Sequence, residues 1–339
     1  MKGKLLYCAT LALAAGSLST ASWTQPIAED ARHWLERMLQ STQTLSYEGT
    51  FIYVQGPHIE AMRIVNSGGS EGQQQRRRLF SLSGPPREIM VANNSVTCLL
   101  PKQHTTFVGG EYPRSPFPLS IPRELGRLES HYALEMIGED RVAGLDAQVI
   151  AIKPRDAWRF GYRLWLDRRN GIVLRSALLD EKDYPVEQLM FTDLQVKPRI
   201  EDAAFASPAL PPASAAAEAS AIPNGADAPA GERVTRSAWR IDQLPEGFFK
   251  VSHNRFTKAL SRHPTEHLVF TDGLATISVF VEKLDGAPPL LQGGSQMGSM
   301  NAFGAVVNDH QILVVGEAPA ATVQRIAVSV QLEPETGKP

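Results

Sequence analysis

Two short motifs in the sequence match patterns that hydrolytic enzymes use. Residues 68–72 fit G-x-S-x-G, in which a strained turn between a strand and a helix presents a nucleophilic serine. Here three glutamines and three arginines follow and lead into a strand-like segment, so the required helix is missing. We interpret the motif as a glycine-rich hairpin loop, with a catalytic Ser70 as the alternative.

The second motif, His263-Pro264-Thr265-Glu266-His267, fits H-x-x-E-H, in which two histidines one helical turn apart bind zinc. Pro264 disfavours a helical conformation at His263, and the following Leu-Val-Phe run continues as a strand. The two imidazoles therefore need not share a face. We interpret the segment as a connector, with a zinc site as the alternative, and expect no metal or cofactor.

Charge and composition restrict the partners. The chain has 339 residues, 34 basic and 36 acidic, and is 43% hydrophobic. This balance gives no electrostatic footprint for nucleic acid, so any partner must be recognised locally. The run Arg76 to Arg78 is typical of a solvated strand end, although it could also contact the phosphates of an anionic lipid.

The N-terminus has the three parts of a secretory signal. Lys2 and Lys4 precede an apolar run, and small residues end at Ala21, where we expect cleavage. The apolar run is too short to span a bilayer. Cleavage leaves Cys98 as the single cysteine, which excludes an intrachain disulfide and favours a packed core.

The elements that would position a site are mainly strands. Residues 153–179 predict a hairpin, with a tight turn at Asn170-Gly171. Tyr162, Leu164 and Leu166 fall on one face and Arg163 and Trp165 on the other. An amphipathic helix precedes the strands, and short strands between turn residues predict an antiparallel meander. The hairpin face bearing Tyr162 is expected to close over something apolar, with Arg163 and Trp165 facing outward.

Composition divides the chain into four parts. We predict a signal peptide at 1–21, an N-terminal domain at 22–202, an Ala/Pro-rich linker at 203–231 and a smaller C-terminal domain at 232–335. The linker composition cannot bury a core.

Several stretches together resemble the MucB/RseB family of periplasmic regulators of the extracytoplasmic stress sigma factor. They are Tyr47 to Tyr53, Pro154 to Tyr162, Trp239 with Leu244 to Phe248, Thr271 to Ala275 with Ser278 to Glu282, and Val314 to Glu317. The resemblance covers nearly the whole mature chain.

The resemblance implies an α+β, mainly antiparallel β fold: a half-open barrel similar to LolA and LolB with covering helices, plus a small α+β domain. It also implies a non-enzymatic protein that binds the periplasmic part of an anti-sigma factor of the RseA/MucA type and shields it from proteolysis. Lipid or lipopolysaccharide would release it. The expected lipid-cavity residues are Phe51, Tyr53, Phe160, Tyr162, Leu164 and Leu166, and the expected partner-binding residues are Trp239, Phe248, Thr271, Asp272 and Gly273.

Alternatives remain open at this stage. A periplasmic carrier of lipid or lipoprotein would suit the same apolar sheet but would not need residues 232–335. A hydrolase built on Ser70 or His267 is the third hypothesis, and the oligomeric state, including a homo-oligomer, is open.

Overall fold

A computed structural model describes residues 30–69, 75–92, 95–100, 105–109, 121, 125–206, 232–234, 237–258, 261 and 263–333. The predicted signal peptide, Ser70 and most of the predicted linker lie outside these ranges. Within the described residues, no helix is long and apolar enough to cross a membrane.

The N-terminal part is one antiparallel sheet with helices. Its helices are α1 (Ala31–Thr44), α2 (Leu125–His131) and a short 3-10 helix at Asp202–Phe205. Its strands are β1 (Ser46–Gln55), β2 (His58–Ser67), β3 (Arg76–Ser81), β4 (Glu88–Ala92), β5 (Ser95–Leu100), β6 (Thr105–Gly109), β7 (Tyr132–Val142), β8 (Leu145–Pro154), β9 (Gly161–Asp167), β10 (Val173–Leu179) and β11 (Pro185–Lys197).

These described strands follow the spatial order β6-β5-β4-β3-β2-β1-β11-β10-β9-β8-β7. The two end strands, β6 and β7, do not pair with each other, so the sheet stays open. The mainly antiparallel, half-open architecture predicted from the sequence is therefore confirmed.

Helix α1 covers one face of β7 to β10. Asp30 caps its N-terminus by accepting from the His33 backbone N–H at 2.8 Å. Trp34, Leu35 and Met38 recur at helical spacing and are buried against the sheet, in a cluster with Leu128 of α2. Because burial of this apolar stripe provides most of the helix stability, the helix is fixed on the sheet rather than free for a partner.

The central hairpin joins β9 to β10 through residues 168–172. Of the Asn170-Gly171 pair, only Gly171 has a positive φ, +78°. The turn packs on α1, where the Ser41 hydroxyl donates to the Asn170 carbonyl. The observed hairpin is shorter than the predicted range 153–179, because the preceding strand β8 ends at Pro154 and residues 155–160 form a separate loop.

The chain after β11 lies across the outer face of the sheet. Phe205 is buried with Val65 and Ile200, and the Arg76 guanidinium lies 4.4 Å from the Phe205 ring centroid. Arg78 donates to the Ala204 carbonyl at 3.0 Å. Two arginines of the triplet thus hold this segment, and packing extends at least to Phe205, beyond the proposed boundary at 202.

The C-terminal part has its own sheet and helix. Its elements are β12 (Glu232–Arg233), β13 (Trp239–Ile241), β14 (Phe249–Phe256), β15 (Thr265–Thr271), β16 (Thr276–Lys283), β17 (Gly293–Met297), β18 (Met300–Val307), β19 (His310–Gly316), α3 (Ala320–Val328) and β20 (Val330–Leu332). Seven described strands form a sheet in the order β12-β14-β15-β16-β19-β18-β17, and β13 pairs with β20. Val323 and Ile326 of α3 are buried on this sheet.

Candidate functional site

The residues predicted to line a lipid cavity lie in or next to the N-terminal sheet, and four of the six are buried. Leu164 and Leu166 are fully buried beneath α1, with Tyr162 partly exposed at the edge of the same cluster. Phe51 belongs to a neighbouring cluster. Phe160 precedes β9 and is 5% exposed. The alternation of β9 therefore places Tyr162 and Leu164 on one face, which α1 covers.

The opposite face of β9 is less exposed to solvent than predicted. Trp165 was expected to face outward, yet it is only 6% exposed. It packs in an apolar cluster with Leu174 and Val149, the Arg175 guanidinium stacks 4.3 Å from its ring centroid, and its indole N–H donates to Asp140 at 2.8 Å. A long arginine stem thus covers the tryptophan from solvent.

A loop at residues 155–160 carries Arg159 into the contact with the C-terminal part. Its guanidinium donates to Asp272 Oδ2 at 3.0 Å, to the Glu246 carbonyl at 2.6 Å and to Asp156 Oδ1 at 3.1 Å. The Arg159 and Asp272 side chains both have 0% exposure. Phe248 lies against the same guanidinium, with its ring centroid 5.1 Å away.

Asp272 is bound from both parts of the chain. Its Oδ1 accepts from the backbone N–H groups of Leu274 and Ala275, at 2.9 and 2.8 Å. Its Oδ2 accepts from Arg159 and from the Tyr132 hydroxyl, at 2.9 Å from the latter. Burial, followed by the Asp272 carboxylate, raises the pKa of Tyr132, so this tyrosine stays a neutral donor. We call Tyr132, Arg159, Asp272 and the residues that bind them the arginine cluster.

A second group of polar residues bridges the two parts. Register pairs Tyr162 with Leu178, Leu178 with Glu187, and Glu187 with Gln55, which puts Tyr162, Glu187 and Gln55 in one row on one face. Glu317, directly after β19, meets this row from the C-terminal part and accepts from the Tyr162 hydroxyl at 3.3 Å.

Ser299 joins the two carboxylates. Its Oγ lies 2.9 Å from Glu187 Oε2 and 2.9 Å from Glu317 Oε1, and the Gln55 amide donates to the same Oγ at 3.3 Å. Ser299 is 1% exposed. We call Tyr53, Gln55, Tyr162, Glu187, Ser299 and Glu317 the carboxyl cluster.

The carboxyl cluster favours neutral side chains. Burial, followed by the charge of Glu187, raises the pKa of Glu317. Burial and Glu317 raise the pKa of Tyr162, and burial and a hydrogen bond to Glu187 raise that of Tyr53. The two tyrosines therefore act as neutral donors to carboxylates rather than as wall residues of an open apolar cavity.

Apolar and helical contacts complete the junction. Leu274 of the C-terminal part belongs to the buried cluster beneath α1, with Tyr132, Ile152 and Leu164. From α3, Thr322 donates to the Trp158 carbonyl at 2.9 Å, and a further α3 side chain, Arg325, stacks on the Trp158 ring. The C-terminal part thus fills space on the face predicted to bind lipid.

The predicted partner-binding residues lie at this junction or in the C-terminal core. Trp239 and Phe248 are buried in the core of the small sheet. Asp272 is held by the arginine cluster. Thr271 and Gly273 are partly exposed, and the Thr271 hydroxyl donates to the Ala275 carbonyl at 2.8 Å. The fold therefore brings Phe248 and Asp272 together around Arg159, which was absent from the predicted site.

The residues of the H-x-x-E-H motif go to separate partners. His263 pairs with Asp285 at 3.2 Å. Glu266 and His267 are successive residues of β15, so their side chains point to opposite faces of the sheet. Among the described residues, no group of three or more His, Cys, Asp or Glu side chains could hold a metal ion.

A small cavity borders the loop that carries Arg159. Its volume is about 320 Å³, and its lining includes Lys153, Asp156, Arg163 and Asp180. Cations and anions are interspersed along its wall, so the cavity does not select a ligand of one charge.

Comparisons with known proteins match both the N-terminal and the C-terminal part of the chain. The models of the MucB/RseB N-terminal and C-terminal domains match residues 30–209 and 233–331. The sigma factor AlgU regulatory protein MucB of Pseudomonas aeruginosa is 33% identical over 330 residues, covering 96% of this chain and 97% of that protein. The chain belongs to the MucB/RseB family. This is a family of regulatory proteins, as the sequence resemblance indicated.

Other relatives agree. The sigma-E factor regulatory protein RseB of Escherichia coli is 26% identical over 300 residues, covering 88% of this chain and 89% of that protein. The crystal structure of MucB in complex with MucA(peri) is 29% identical, covers 90% of this chain and 100% of that chain, and has a TM-score of 0.70. The MucB/RseB fold therefore extends across both parts of this chain.

Sequence reasoning named Asp272 and Tyr162 but missed most of the other polar residues of the junction. Arg159 and Glu317 both lie in stretches that carry the MucB/RseB resemblance, which was the available signal. Tyr132, Glu187 and Ser299 lie outside those stretches, and their roles depend on contacts between distant segments.

Proposed function

We propose that this chain is a periplasmic regulator that binds the periplasmic region of a membrane anti-sigma factor, shields it from proteolysis and so restrains the envelope stress response. The observation that carries the proposal is the near-complete match to a family whose member MucB has been solved in complex with MucA(peri). The protein acts by binding rather than by catalysis.

The junction supports a mechanism based on domain opening. Asp272 and Phe248, two of the proposed partner-binding residues, are buried when the N- and C-terminal domains are docked. A partner that contacts them favours a rearranged junction, and a ligand that favours the docked state lowers partner affinity by its differential affinity for the two states. Lipid or lipopolysaccharide is the proposed releasing ligand.

The domain assignment belongs to the same proposal. Residues 22–202 form the carrier-like domain and 232–335 the small domain, joined by a linker that lets their docking change without unfolding either one. The two separate sheets support this division.

The direct test is binding. The mature chain is titrated into a fluorescently labelled periplasmic segment of the anti-sigma factor from the same organism, and we expect saturable binding with a Kd of about 1 μM or lower. Ser70→Ala and His267→Ala should leave the affinity unchanged, because neither residue acts as a catalyst. Absence of binding at about 10 μM, with an unrelated periplasmic peptide as reference, would contradict the proposal.

The carrier hypothesis makes a different prediction. A carrier transfers lipid from donor to acceptor vesicles and retains this activity without residues 232–335. The placement of Leu274 beneath α1 favours the regulator, because the small domain occupies part of the face that a carrier would keep open for cargo.

A further inference from the structure

In the carboxyl cluster, the Ser299 hydroxyl faces more hydrogen-bond acceptors than its single proton can satisfy when both carboxylates are ionised. A serine hydroxyl donates one proton and accepts up to two hydrogen bonds. Gln55 donates to the Ser299 Oγ, while Glu187 and Glu317 each place an oxygen 2.9 Å from it. The single hydroxyl proton can reach only one of those oxygens.

The remaining contact requires a proton on a carboxyl group. With both carboxylates ionised, Ser299 would face an acceptor oxygen at 2.9 Å with no hydrogen between them, inside an interface where Ser299 is 1% exposed. An unsatisfied pair of this kind is costly when it is buried. With one carboxyl protonated, its O–H donates to Ser299, and the Ser299 hydroxyl donates to the other carboxylate.

We propose that the Glu317 carboxyl keeps a proton when the two domains dock and donates it to Ser299, whose hydroxyl donates to Glu187, so that docking of the two domains strengthens as the pH falls. The inference stands on the geometry of the cluster and does not depend on the proposed partner.

Among the described residues, the groups around the pair give it little compensating positive charge. Tyr162 of β9 donates to Glu317, and Tyr53 of β1 hydrogen bonds to Glu187. Arg87 interacts with Tyr53 electrostatically and also forms an ion pair with Glu60. Tyr132, which interacts with Tyr162, already donates to Asp272.

The pKa of Glu317 agrees with this reading, since burial and the neighbouring Glu187 raise it above its ordinary value of 4.5. A carboxyl whose pKa is raised by docking favours the docked state fully below its ordinary pKa. That preference is lost as the pH rises through the raised pKa. Each unit by which docking raises the pKa changes the ratio of docked to undocked molecules about tenfold.

Infrared spectroscopy of the mature chain detects the proton directly, through the C=O absorption of a protonated carboxyl. In the wild type we expect one such absorption to persist above about pH 5, where ordinary carboxyl groups are ionised, and to disappear as the pH rises further. Glu317→Gln and Glu187→Gln should each remove it, and the matched control Glu333→Gln, at an exposed position, should retain it. Absence of this absorption in the wild type overturns the proposal, as does its persistence in both cluster variants.

Urea unfolding tests the linkage to stability. As the pH rises above about 5, the wild type should lose stability relative to Glu317→Gln, whose side chain stays neutral, because the raised pKa of Glu317 links its deprotonation to a loss of docking. Glu333→Gln should follow the wild type. A constant difference between wild type and Glu317→Gln would overturn the linkage. Should neither cluster variant fold, the infrared titration of the wild type decides the proposal alone.

Discussion

At the scale of single residues, Arg159 stabilises the junction through hydrogen bonds that satisfy its charge. A buried ion pair is costly to desolvate, and its geometry must be good for the attraction to offset that cost. Arg159 donates to Asp272, Asp156 and the Glu246 carbonyl, while Tyr132 provides a further donor to Asp272. Removal of one partner leaves a buried charge without compensation, which is more harmful than removal of both.

Replacement of Arg159 tests this account. Arg159→Met should lower the free energy of unfolding in urea by about 3–5 kcal/mol, because the Asp272 carboxylate then stays buried without its cation. The matched control Arg168→Met removes an exposed arginine paired with Glu139 and should cost no more than about 1 kcal/mol.

A double-mutant cycle separates the pair from its surroundings. Arg159→Met combined with Asp272→Asn should cost clearly less than the sum of the two single substitutions. Additive costs, or a cost for Arg159→Met as small as that of the control, would contradict the account.

At the scale of elements, turns and close approaches position the strands that carry the site. A Cβ at Gly171 would lie 3.2 Å from the backbone of Arg37 in α1, so the β9–β10 turn and the helix touch at a glycine. Gly247, with φ +86°, directly follows Glu246, whose carbonyl accepts a hydrogen bond from Arg159. A Cβ at Gly247 would overlap the His131 imidazole. Both glycines allow segments from different elements to approach.

Two alanine substitutions distinguish close approach from backbone strain. Gly56 and Gly171 both have positive φ values, +55° and +78°, but nothing lies within 4 Å of a Cβ built at Gly56. Gly56→Ala should therefore cost about 1–2 kcal/mol in urea unfolding through the left-handed conformation alone. Gly171→Ala should cost at least about 1 kcal/mol more, because α1 must also shift. Equal losses of stability in the two variants would contradict this prediction, because they would show that α1 shifts at this contact at no energetic cost.

At the scale of the whole molecule, two separate sheets are coupled through one junction. The arginine cluster and the carboxyl cluster each contain residues from both domains, and Leu274 of the small domain packs in the core beneath α1. Because Leu274 belongs to the core beneath α1, unfolding of the small domain exposes part of the large one. Coupling of this kind is the basis for regulation by domain opening.

Calorimetry measures that coupling. We expect the wild type to unfold in a single transition, and Leu274→Ala to destabilise it by about 2–5 kcal/mol through the cavity left beneath α1. Weaker coupling between the two domains in Leu274→Ala should broaden or split its unfolding transition. Leu290→Ala, at a residue that is 83% exposed, is the matched control and should leave the profile unchanged. Separate transitions already present in the wild type would contradict the coupling.

Local patterns were sufficient for much of the fold and for the family. Period-two alternation predicted that Tyr162 and Leu164 share a face, and turn residues predicted the antiparallel meander, because these features depend on neighbours along the chain. The boundaries of the hairpin were less accurate, since the loop at 155–160 is shaped by contacts with the C-terminal domain, such as that of Arg159 with Asp272.

The hairpin at β9–β10 shows the division between sequence and tertiary structure. The sequence by itself determined its strands, its glycine turn and the apolar face that carries Leu164. Only the tertiary structure decided that Tyr162 ends at a carboxyl cluster and that Arg159, just before the hairpin, meets Asp272, 113 residues away. The physical reason is that charge pairing and burial depend on sheet register and domain docking, which bring together residues whose spacing in the chain carries no sign of the contact.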